Sequence, residues 1–462
     1  MSLTFSDPGS PSSPQRYRWG LLGIVLVTSL VALVAVVGTL AEGPRLRSAT
    51  IDEATAIQAS GVSLALRSDR AVAAVSESQV TITPETPFSV ETTELDVAVI
   101  FDQPLLAATT YRVSVNSVVP RGFGASGTWE TSFQTPPEEL LYLRSAGALD
   151  ELVRVVLDGS APELVYQAEG ILSFARVGVV YAVVRSVGGE TFLELVEPSS
   201  GAVDRIPDTP GITLAGMARS AWGTTLVLTV DAELRGKAGT FRALALLDTL
   251  GSRTPEVVEG ADGNPLGVTK VAVSDVSGNI VVWLRNQSLV RFDPLTGIVV
   301  PLGTAAELWG FDALGESALY VDSLGTLARS LADGSENRIP AGALEGFPVF
   351  HEFTVLGPDG TAFQRVVVPG LADGPPFTVV TEETSDAVHT RLIGSLQTPQ
   401  SIGAIGLSPN GQYLVAEVNP APSLTGFVGL DPEIIRRDTT LVIYDTRAQA
   451  IFAEIPGYAF TW

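Results

Sequence analysis

Cysteine is absent from this chain of 462 residues, and histidine occurs only twice. Without cysteine, disulfide bonds, thiol nucleophiles and cysteine-ligated zinc sites are all excluded. Basic residues are also scarce, with 28 Lys and Arg against 51 Asp and Glu and a net charge of −23. Contacts to phosphates need clustered Lys and Arg. We therefore expect no nucleic acid among the partners of this chain.

Sequence motifs of catalysis are missing as well. His351 is followed by glutamate but lacks the second histidine of a H-E-x-x-H zinc site, and His389 stands 38 positions away. No Gly-x-Ser-x-Gly nucleophile elbow occurs. The acidic turn Pro358–Gly360 lacks the ligand series of a calcium-binding loop, so ordinary β-turn chemistry explains it. The sequence thus predicts no catalytic residue, no cofactor and no metal site.

The N-terminus carries a long uncharged segment. Residues 1–15 are rich in Ser and Pro and are predicted to be a disordered cytoplasmic tail. From Trp19 to Ala41 about 23 residues run without a charge, and as a helix they would span the roughly 30 Å hydrocarbon core of a bilayer. Residues 16–42 are therefore predicted to be a transmembrane signal anchor, with the lipid bilayer as a partner.

Charges beside this segment predict its orientation. Arg16 and Arg18 precede it, which places the N-terminus in the cytoplasm and the bulk of the chain outside. Arg45 and Arg47 follow it and weaken this assignment. We expect a single-pass protein of the cell membrane; the alternative is a signal peptide cleaved after Ala41, which would give a secreted protein.

Residues 43–137 contain short strand patterns with a period of two. Five to seven such strands in about 90 residues are typical of a small β-sandwich. The G-x-G-x-x-G spelling at Gly122–Gly127 has no helix after it, so we interpret it as a hairpin loop rather than a dinucleotide site. The predicted strands are Val62–Leu66, Val72–Thr83, Leu95–Phe101, Thr110–Val115 and Thr128–Gln134.

This region resembles the bacterial Ig-like domains of the S-layer-protein type. The resemblance is carried by the stretches VSLALRSDRAVAAVSESQVTITP and QPLLAATTYRVSVNSV and by the closing TWETSFQTPP. Such domains in exported proteins are mostly spacers or adhesive modules. The resemblance therefore implies an Ig-like spacer in this part of the chain.

Residues 138–462 show a repeat of about 40 to 50 residues, the length of a four-stranded propeller blade. Apolar strands end in polar, Gly-closed turns such as Asp293–Gly297, and a second class of turn is Ser408–Gly411. The sequence predicts an all-β fold with a seven-bladed β-propeller, six or eight blades being the alternatives. The predicted blades are 140–170, 171–211, 212–265, 266–306, 307–346, 347–399 and 400–456.

Both ends of the repeat region predict how the ring closes. The first blade lacks an opening strand, and Gly457–Trp462 is a spare strand after the last blade. Pairing this strand with Leu140–Arg144 would close the ring and leave no long open edge. The stretches LSPNGQYLVAEV and TTLVIYDTRAQAIFAEIPGYAFTW also resemble the TolB-like and WD40-like propellers of bacterial envelope proteins, although the WD dipeptide itself is absent.

Loop length is the main indication of function. The long loops Asp231–Thr240, Pro369–Pro376 and Asn419–Asp438 are predicted to lie on one face of the propeller, the face that carries the loops between second and third strands and the links between blades. Long loops on a rigid scaffold often form binding surfaces, the alternative being insertions without function. The predicted partner-binding residues are Phe427, Asp431, Glu433, Arg436, Arg437 and Asp438.

Two classes of function are compatible with the sequence. The first is a membrane-tethered, extracytoplasmic recognition or scaffold protein that binds a protein or a cell-envelope ligand. The second is a propeller-fold enzyme, a hydrolase, lyase or dehydrogenase acting on envelope material. An enzyme would need convergent acidic, histidine or metal-binding groups in the central channel, and the scarcity of histidine favours the first class.

Overall fold

The structure, a computed structural model, describes residues 22–31, 43–233, 240–260, 263–274, 276–370, 375–383, 389–395, 400–420 and 438–462. It divides into two compact units. The first contains Val62–Asp102 and Thr110–Phe133, and the second contains Glu53–Gly61, Gln103–Thr109 and Gln134–Trp462. The second unit thus includes two segments that precede residue 138. The predicted division between residues 137 and 138 stays a prediction.

Helix α1 covers residues 22–31, inside the predicted membrane anchor. The rest of that anchor and the predicted tail lie outside the described residues. Within the part of the chain that is described, no helix combines the length and the apolar character needed to cross a bilayer.

The first unit is built from β-strands. Its sheets are a four-stranded one, ordered β1-β2-β5-β4, and a three-stranded one, ordered β3-β6-β7. Phe133 packs against Tyr111 at 5.5 Å and Phe101 at 6.2 Å between ring centroids, which joins the two sheets in one core. The strands are β1 Leu46–Thr50, β2 Ser63–Ser68, β3 Val80–Thr83, β4 Phe88–Thr92, β5 Asp96–Phe101, β6 Thr110–Val118 and β7 Gly127–Gln134.

Two predictions in this unit can be compared with the structure. The predicted strand Val72–Thr83 is too long, because the 3-10 turn Glu77–Gln79 precedes β3 and the backbone N–H of Ser76 donates to Gln79 Oε1 at 3.0 Å. Gly122–Gly127 leads from β6 into β7, which are neighbours in one sheet, so its interpretation as a hairpin loop is confirmed. The Ig-like assignment stays a prediction.

The second unit begins with the short helix α2, Glu53–Ala56, and continues with strands from β8 onwards. The first of these are β8 Glu139–Ala146, β9 Leu149–Val156, β10 Glu163–Ala168, β11 Ile171–Val177, β12 Val180–Val187, β13 Glu190–Glu197, β14 Ala202–Arg205, β15 Ile212–Trp222, β16 Thr225–Glu233, β17 Thr240–Asp248, β18 Glu256–Val257, β19 Val268–Val273, β20 Ile280–Leu284 and β21 Ser288–Phe292. The remaining ones are β22 Val299–Thr304, β23 Glu307–Phe311, β24 Ser317–Asp322, β25 Gly325–Ser330, β26 Glu336–Arg338, β27 Phe350–Leu356, β28 Ala362–Val368, β29 Phe377–Glu383, β30 His389–Ile393, β31 Ser401–Leu407, β32 Tyr413–Asn419, β33 Thr440–Asp445, β34 Ala450–Pro456 and β35 Tyr458–Thr461.

These strands form antiparallel groups of four. In chain order the groups are β8–β10 with β35, β11–β14, β15–β18, β19–β22, β23–β26, β27–β30 and β31–β34, and we number them as the first to seventh sheets. The second and third belong to one eight-stranded sheet, which is joined by a parallel pairing of Arg176 with Ser220. The predicted all-β fold with propeller-like, four-stranded sheets is confirmed.

Hydrophobic clusters fill the spaces between consecutive sheets. Six clusters join the first sheet to the second and so on up to the seventh. A further cluster joins the seventh sheet back to the first, with Tyr413 and Ile443 on one side and Leu140 and Val153 on the other. The sheets therefore follow one another in a closed ring.

Strand β35 closes this ring, as predicted. Phe460 pairs with Tyr142 of β8, and its buried ring enters the cluster between the first and seventh sheets. Tyr458, also on β35, packs into the cluster between the first and second sheets, and its hydroxyl donates to Asp150 Oδ1 at 2.7 Å. One strand thus contributes to both interfaces of the first sheet.

Inner strands need small residues because they converge on the ring axis. At Gly406 of β31, a Cβ atom would lie 2.6 Å from the ring of Phe460, so any larger residue would push the closing strand away. The following turn, Ser408–Gly411, is held by a hydrogen bond from Gly411 N to Ser408 O of 2.8 Å, and Gly411 adopts a positive φ of 72°. Glycine is favoured there because it has no Cβ.

Candidate functional site

Three long connections emerge from one edge of the ring. Each joins the second and third strands of its sheet, as the paired strand ends show: Glu233 with Thr240, Val368 with Phe377, and Val418 with Thr440. The second strands of all sheets run in the same direction relative to the ring axis. Their connections to the third strands therefore lie on one face, which we call the loop face. The predicted position of the long loops is confirmed by the strands that flank them.

The predicted partner-binding residues are only partly within the described chain. Asp438 is exposed, just before the buried Thr439 and the start of β33. The others lie outside the described residues, so the structure does not show whether the six come together. Those others are Phe427, Asp431, Glu433, Arg436 and Arg437.

A cavity of about 730 Å³ lies among the inner strands of the second unit. Segments of β15, β19, β23, β27, β31 and β35 line it, together with the turns that follow some of them. Aromatic side chains form much of the wall: Trp309, Phe311, Phe353, Phe460 and Trp462. Glycines and alanines of the inner strands leave the space open. None of these aromatic residues was predicted from the sequence to be functional.

Arg365 of β28 brings a charge to this cavity. Its Nη1 donates to the carbonyl oxygens of Gly403 and Ile402, and its Nε lies 3.2 Å from Glu352 Oε2. Burial lowers the pKa of Arg365 and raises that of Glu352, while each charge favours the other. Arg365 and Glu352 therefore form a partly buried ion pair, and the two backbone carbonyl groups fix the position of the guanidinium. No sequence motif predicted this ion pair, because its two residues lie on different strands.

Glu417 of β32 lies close enough to act electrostatically on Arg365. Its carboxylate accepts hydrogen bonds from Ala459 N at 2.7 Å and Ala404 N at 3.4 Å. The carboxylate therefore ties the closing strand to the inner strand of the seventh sheet. Its oxygens serve the backbone rather than a ligand.

His351 is a packed residue rather than an exposed ligand. Its Nε2 lies 2.7 Å from Thr354 Oγ1, and its ring meets that of Trp309 edge-on at 5.3 Å. Burial lowers the pKa of His351, so the neutral imidazole is favoured. His389 opens β30, and its side chain lies outside the described residues. Across the described residues, no three His, Asp or Glu side chains cluster in a way that could hold a metal ion.

Glu138 is a buried carboxyl that directly follows Pro136 and Pro137 in the sequence. It is 0% exposed, its Oε2 accepts from Gln58 Nε2 at 3.1 Å, and its Oε1 has no hydrogen-bond partner among the described residues. Burial raises the pKa of Glu138 to about 7, against the opposing effect of hydrogen bonds from Gln58 and Asn410. A buried carboxyl of this kind favours its protonated form.

The segments 53–61 and 103–109 pack beside Glu138 within the second unit. Asn410 Nδ2 donates to Leu105 O at 3.2 Å, and Ala107 N donates to Gln412 Oε1 at 2.8 Å. Segment 103–109 therefore attaches to the turn that connects β31 and β32, and segment 53–61 is bonded to it in turn, since Leu105 N donates to Ala56 O at 2.7 Å. The sequence alone does not indicate the two hydrogen bonds to this turn, because the bonded residues are about 300 positions apart in the chain.

Comparisons with solved structures give distant similarities. No protein-family model and no curated protein matches the chain. Solved structures similar to it include the dihydro-heme d1 dehydrogenase NirN in complex with DHE, at 16% identity over 70% of this chain and 74% of that chain, with a TM-score of 0.40. The tricorn protease is similar at 11% identity over 87% of this chain and 46% of that one, with a TM-score of 0.43. An auxiliary nutrient binding protein from Bacteroides thetaiotaomicron VPI-5482 is similar at 10% identity over 89% of this chain and 97% of that chain, with a TM-score of 0.33. Similarity at this level transfers neither activity nor ligand.

Proposed function

We propose that this chain is a membrane-tethered, extracytoplasmic recognition or scaffold protein. In this proposal the second unit is a seven-bladed propeller of the TolB-like and WD40-like kind, and it binds a protein or cell-envelope ligand through the loop face. The first unit is an Ig-like spacer between the anchor and the ring. The observation that carries the proposal is the placement of all three long connections on one face of a closed, rigid ring.

Rigidity supports a binding role for this face. The central strands that carry the loops are buried along their length, as in β32, where all residues from Tyr413 to Asn419 are buried. The sixth and seventh sheets share a hydrophobic cluster, so the loops after β28 and β32 emerge from adjacent sheets. Such strands fix the points where the loops begin and end, as a scaffold that positions binding residues requires.

Removing Ser423–Asp438 is expected to abolish partner binding and leave the ring folded. The deletion leaves a connection short enough for a β-hairpin between Val418 and Thr440, which are already paired. We expect at least a tenfold loss of the proteins recovered by crosslinking and pull-down of the full chain. Val179→Ser is the control, since Val179 is 84% exposed in the turn between β11 and β12, a first-to-second strand turn. Unchanged recovery with the deletion would remove the loop face as the binding surface.

The anchor can be tested separately. We expect the full chain to stay in the membrane pellet after alkaline carbonate extraction. Leu30→Arg, in α1, is expected to shift it towards the soluble fraction because a charge at the centre of a spanning helix costs about 3 kcal/mol. Leu95→Arg, at a partly exposed position of the first unit, should not change the fractionation. Release of wild-type protein that begins after Ala41 would instead establish the cleaved signal peptide.

A further inference from the structure

We infer that the loop between β6 and β7 of the first unit contacts the surface of the lipid bilayer through Phe123. The inference rests on the membrane anchor of the proposed function and adds a second membrane contact beside it. The loop spans residues 119–126, and Phe123 in its middle is 92% exposed. Glycine lies on either side of it in the sequence, so neither neighbour has a side chain that could cover the ring. Contact with lipid would remove this apolar ring from water.

The loop lies where the chain enters the first unit. The predicted anchor ends at residue 42, and the next residue, Gly43, packs so closely on the backbone of Ser126 and Gly127 that a Cβ atom would have no room. The fit is equally close from the other side, since a Cβ atom at Gly127 would lie 2.5 Å from Pro44 O. Glycine at both positions lets the two stretches of backbone touch. The loop is therefore attached directly beside the end of the anchor.

The two stretches also run in the same direction. Gly43 lies beside Ser126 and Gly127. Pro44, one position later, lies beside Gly127 and accepts a hydrogen bond of 2.8 Å from Nε1 of the buried Trp129. The end of the first unit at which the chain enters is thus also the end at which the loop lies.

Phe123 is within reach of the headgroups from this position. It lies four positions before Gly127, and a chain extends by at most about 3.6 Å per residue, so the two Cα atoms are within about 14 Å of each other. The headgroup region on each side of a bilayer is about 5 to 8 Å deep. With the anchor ending in that region, Phe123 lies no farther from lipid than the length of its own loop.

Attachment to the anchor makes so small a contact favourable. One phenylalanine alone does not hold a protein at a membrane, because association costs translational and rotational freedom. The anchor has already met that cost, so contact of the loop with lipid is an intramolecular step at a high effective concentration.

The charges of the loop do not oppose the contact. Arg121 is its only charged residue and forms an exposed ion pair with Glu94, at 3.0 Å between Nη1 and Oε1. Arg45 and Arg47, which follow the anchor, are exposed as well. Positive side chains at this distance from the anchor are compatible with lipid phosphates.

A fluorophore beside Phe123 tests the contact in the full chain, reconstituted in phosphatidylcholine vesicles. Because the chain has no cysteine, Ala125→Cys gives a single labelling site and leaves the ring in place. Glu85→Cys is the reference site. Glu85 is exposed and follows β3, whose last residues pair with the beginning of β6, so it lies at the opposite end of the first unit. We expect lipid with a spin label in its headgroup to quench the fluorophore at position 125 at least threefold more than that at position 85.

Phe123→Ser should reduce the quenching at position 125 at least twofold, while the melting temperature and the retention in vesicles stay unchanged. Phe350→Ser makes the same change at an aromatic residue of the second unit that is 66% exposed, and it should leave the quenching unaltered. Equal quenching at positions 85 and 125, in a chain that stays with the vesicles, would overturn the contact and leave the anchor standing. A chain that separates from the vesicles would overturn both.

Discussion

Replacing Phe460 by alanine is expected to lower the free energy of unfolding of the ring by about 3 to 5 kcal/mol, the usual range for a buried phenylalanine. The ring of Phe460 is 4% exposed and packs among residues of the first and seventh sheets. Its loss leaves a cavity at the interface between the first and seventh sheets, where the last strand of the chain closes the ring. Denaturant titration followed by tryptophan fluorescence would measure the change.

Phe350→Ala is the matched control for this prediction. Phe350, at the start of β27, is 66% exposed, and its truncation should cost less than about 1 kcal/mol. Tyr458→Phe tests the same strand at its other interface. It removes the hydrogen bond to Asp150 and should cost about 1 to 3 kcal/mol, because a buried carboxylate loses a donor. Equal effects of Phe460→Ala and Phe350→Ala would show that β35 is not needed for closure.

Glu138 is expected to make the stability of the ring decrease as pH rises from about 4.5 to about 7. The ordinary pKa of a glutamate here is 4.5, and burial raises that of Glu138 to about 7 in the folded chain. Between these values the unfolded chain has lost the proton while the folded chain still holds it, so folding is favoured at the acidic end. The loss amounts to about 3 kcal/mol and levels off above pH 7.

Glu138→Gln should remove this pH dependence, since an amide cannot ionise but keeps a similar shape. Unfolding titrations at pH 5, 6, 7 and 8 would measure the free energy of unfolding. We expect it to decrease with pH in the wild type and to stay constant in the variant. Glu139 is the titratable group whose charge adds to the raised pKa of Glu138. Glu139→Gln is the control and should keep most of the slope. An identical slope in wild type and Glu138→Gln would assign the pH dependence to other groups.

Local patterns predicted the architecture of the second unit well. The turn at Ser408–Gly411, the four-stranded repeat and the pairing of Phe460 beside Leu141 were all readable from the sequence. Each depends on the residues of one short stretch, or on a spare strand that had only one open edge to occupy. Period-two patterns likewise predicted strands such as β5, where Val97, Val99 and Phe101 are buried.

The features that the sequence did not reveal all join distant parts of the chain. Arg365, Glu352 and Gly403 lie on three different strands. Neither the spacing nor the composition of the sequence distinguishes Arg365 and Glu352 from ordinary surface charges. Glu138 stood in a Pro-Glu stretch that is typical of a linker. Its burial became visible only with Gln58 and Asn410 beside it. The cavity depends on the convergence of six inner strands, which no single repeat encodes.

The attachment of residues 53–61 and 103–109 to the ring has a consequence for how this protein can evolve. Ala56 and Leu105 are both 1% exposed and bonded to each other through Leu105 N and Ala56 O. A ring inherited from Glu138 onwards would lack them, and the amide of Asn410 would lose its acceptor. Recombination at the apparent linker would therefore damage both products, so we expect the two parts to be passed on together rather than shuffled as independent modules.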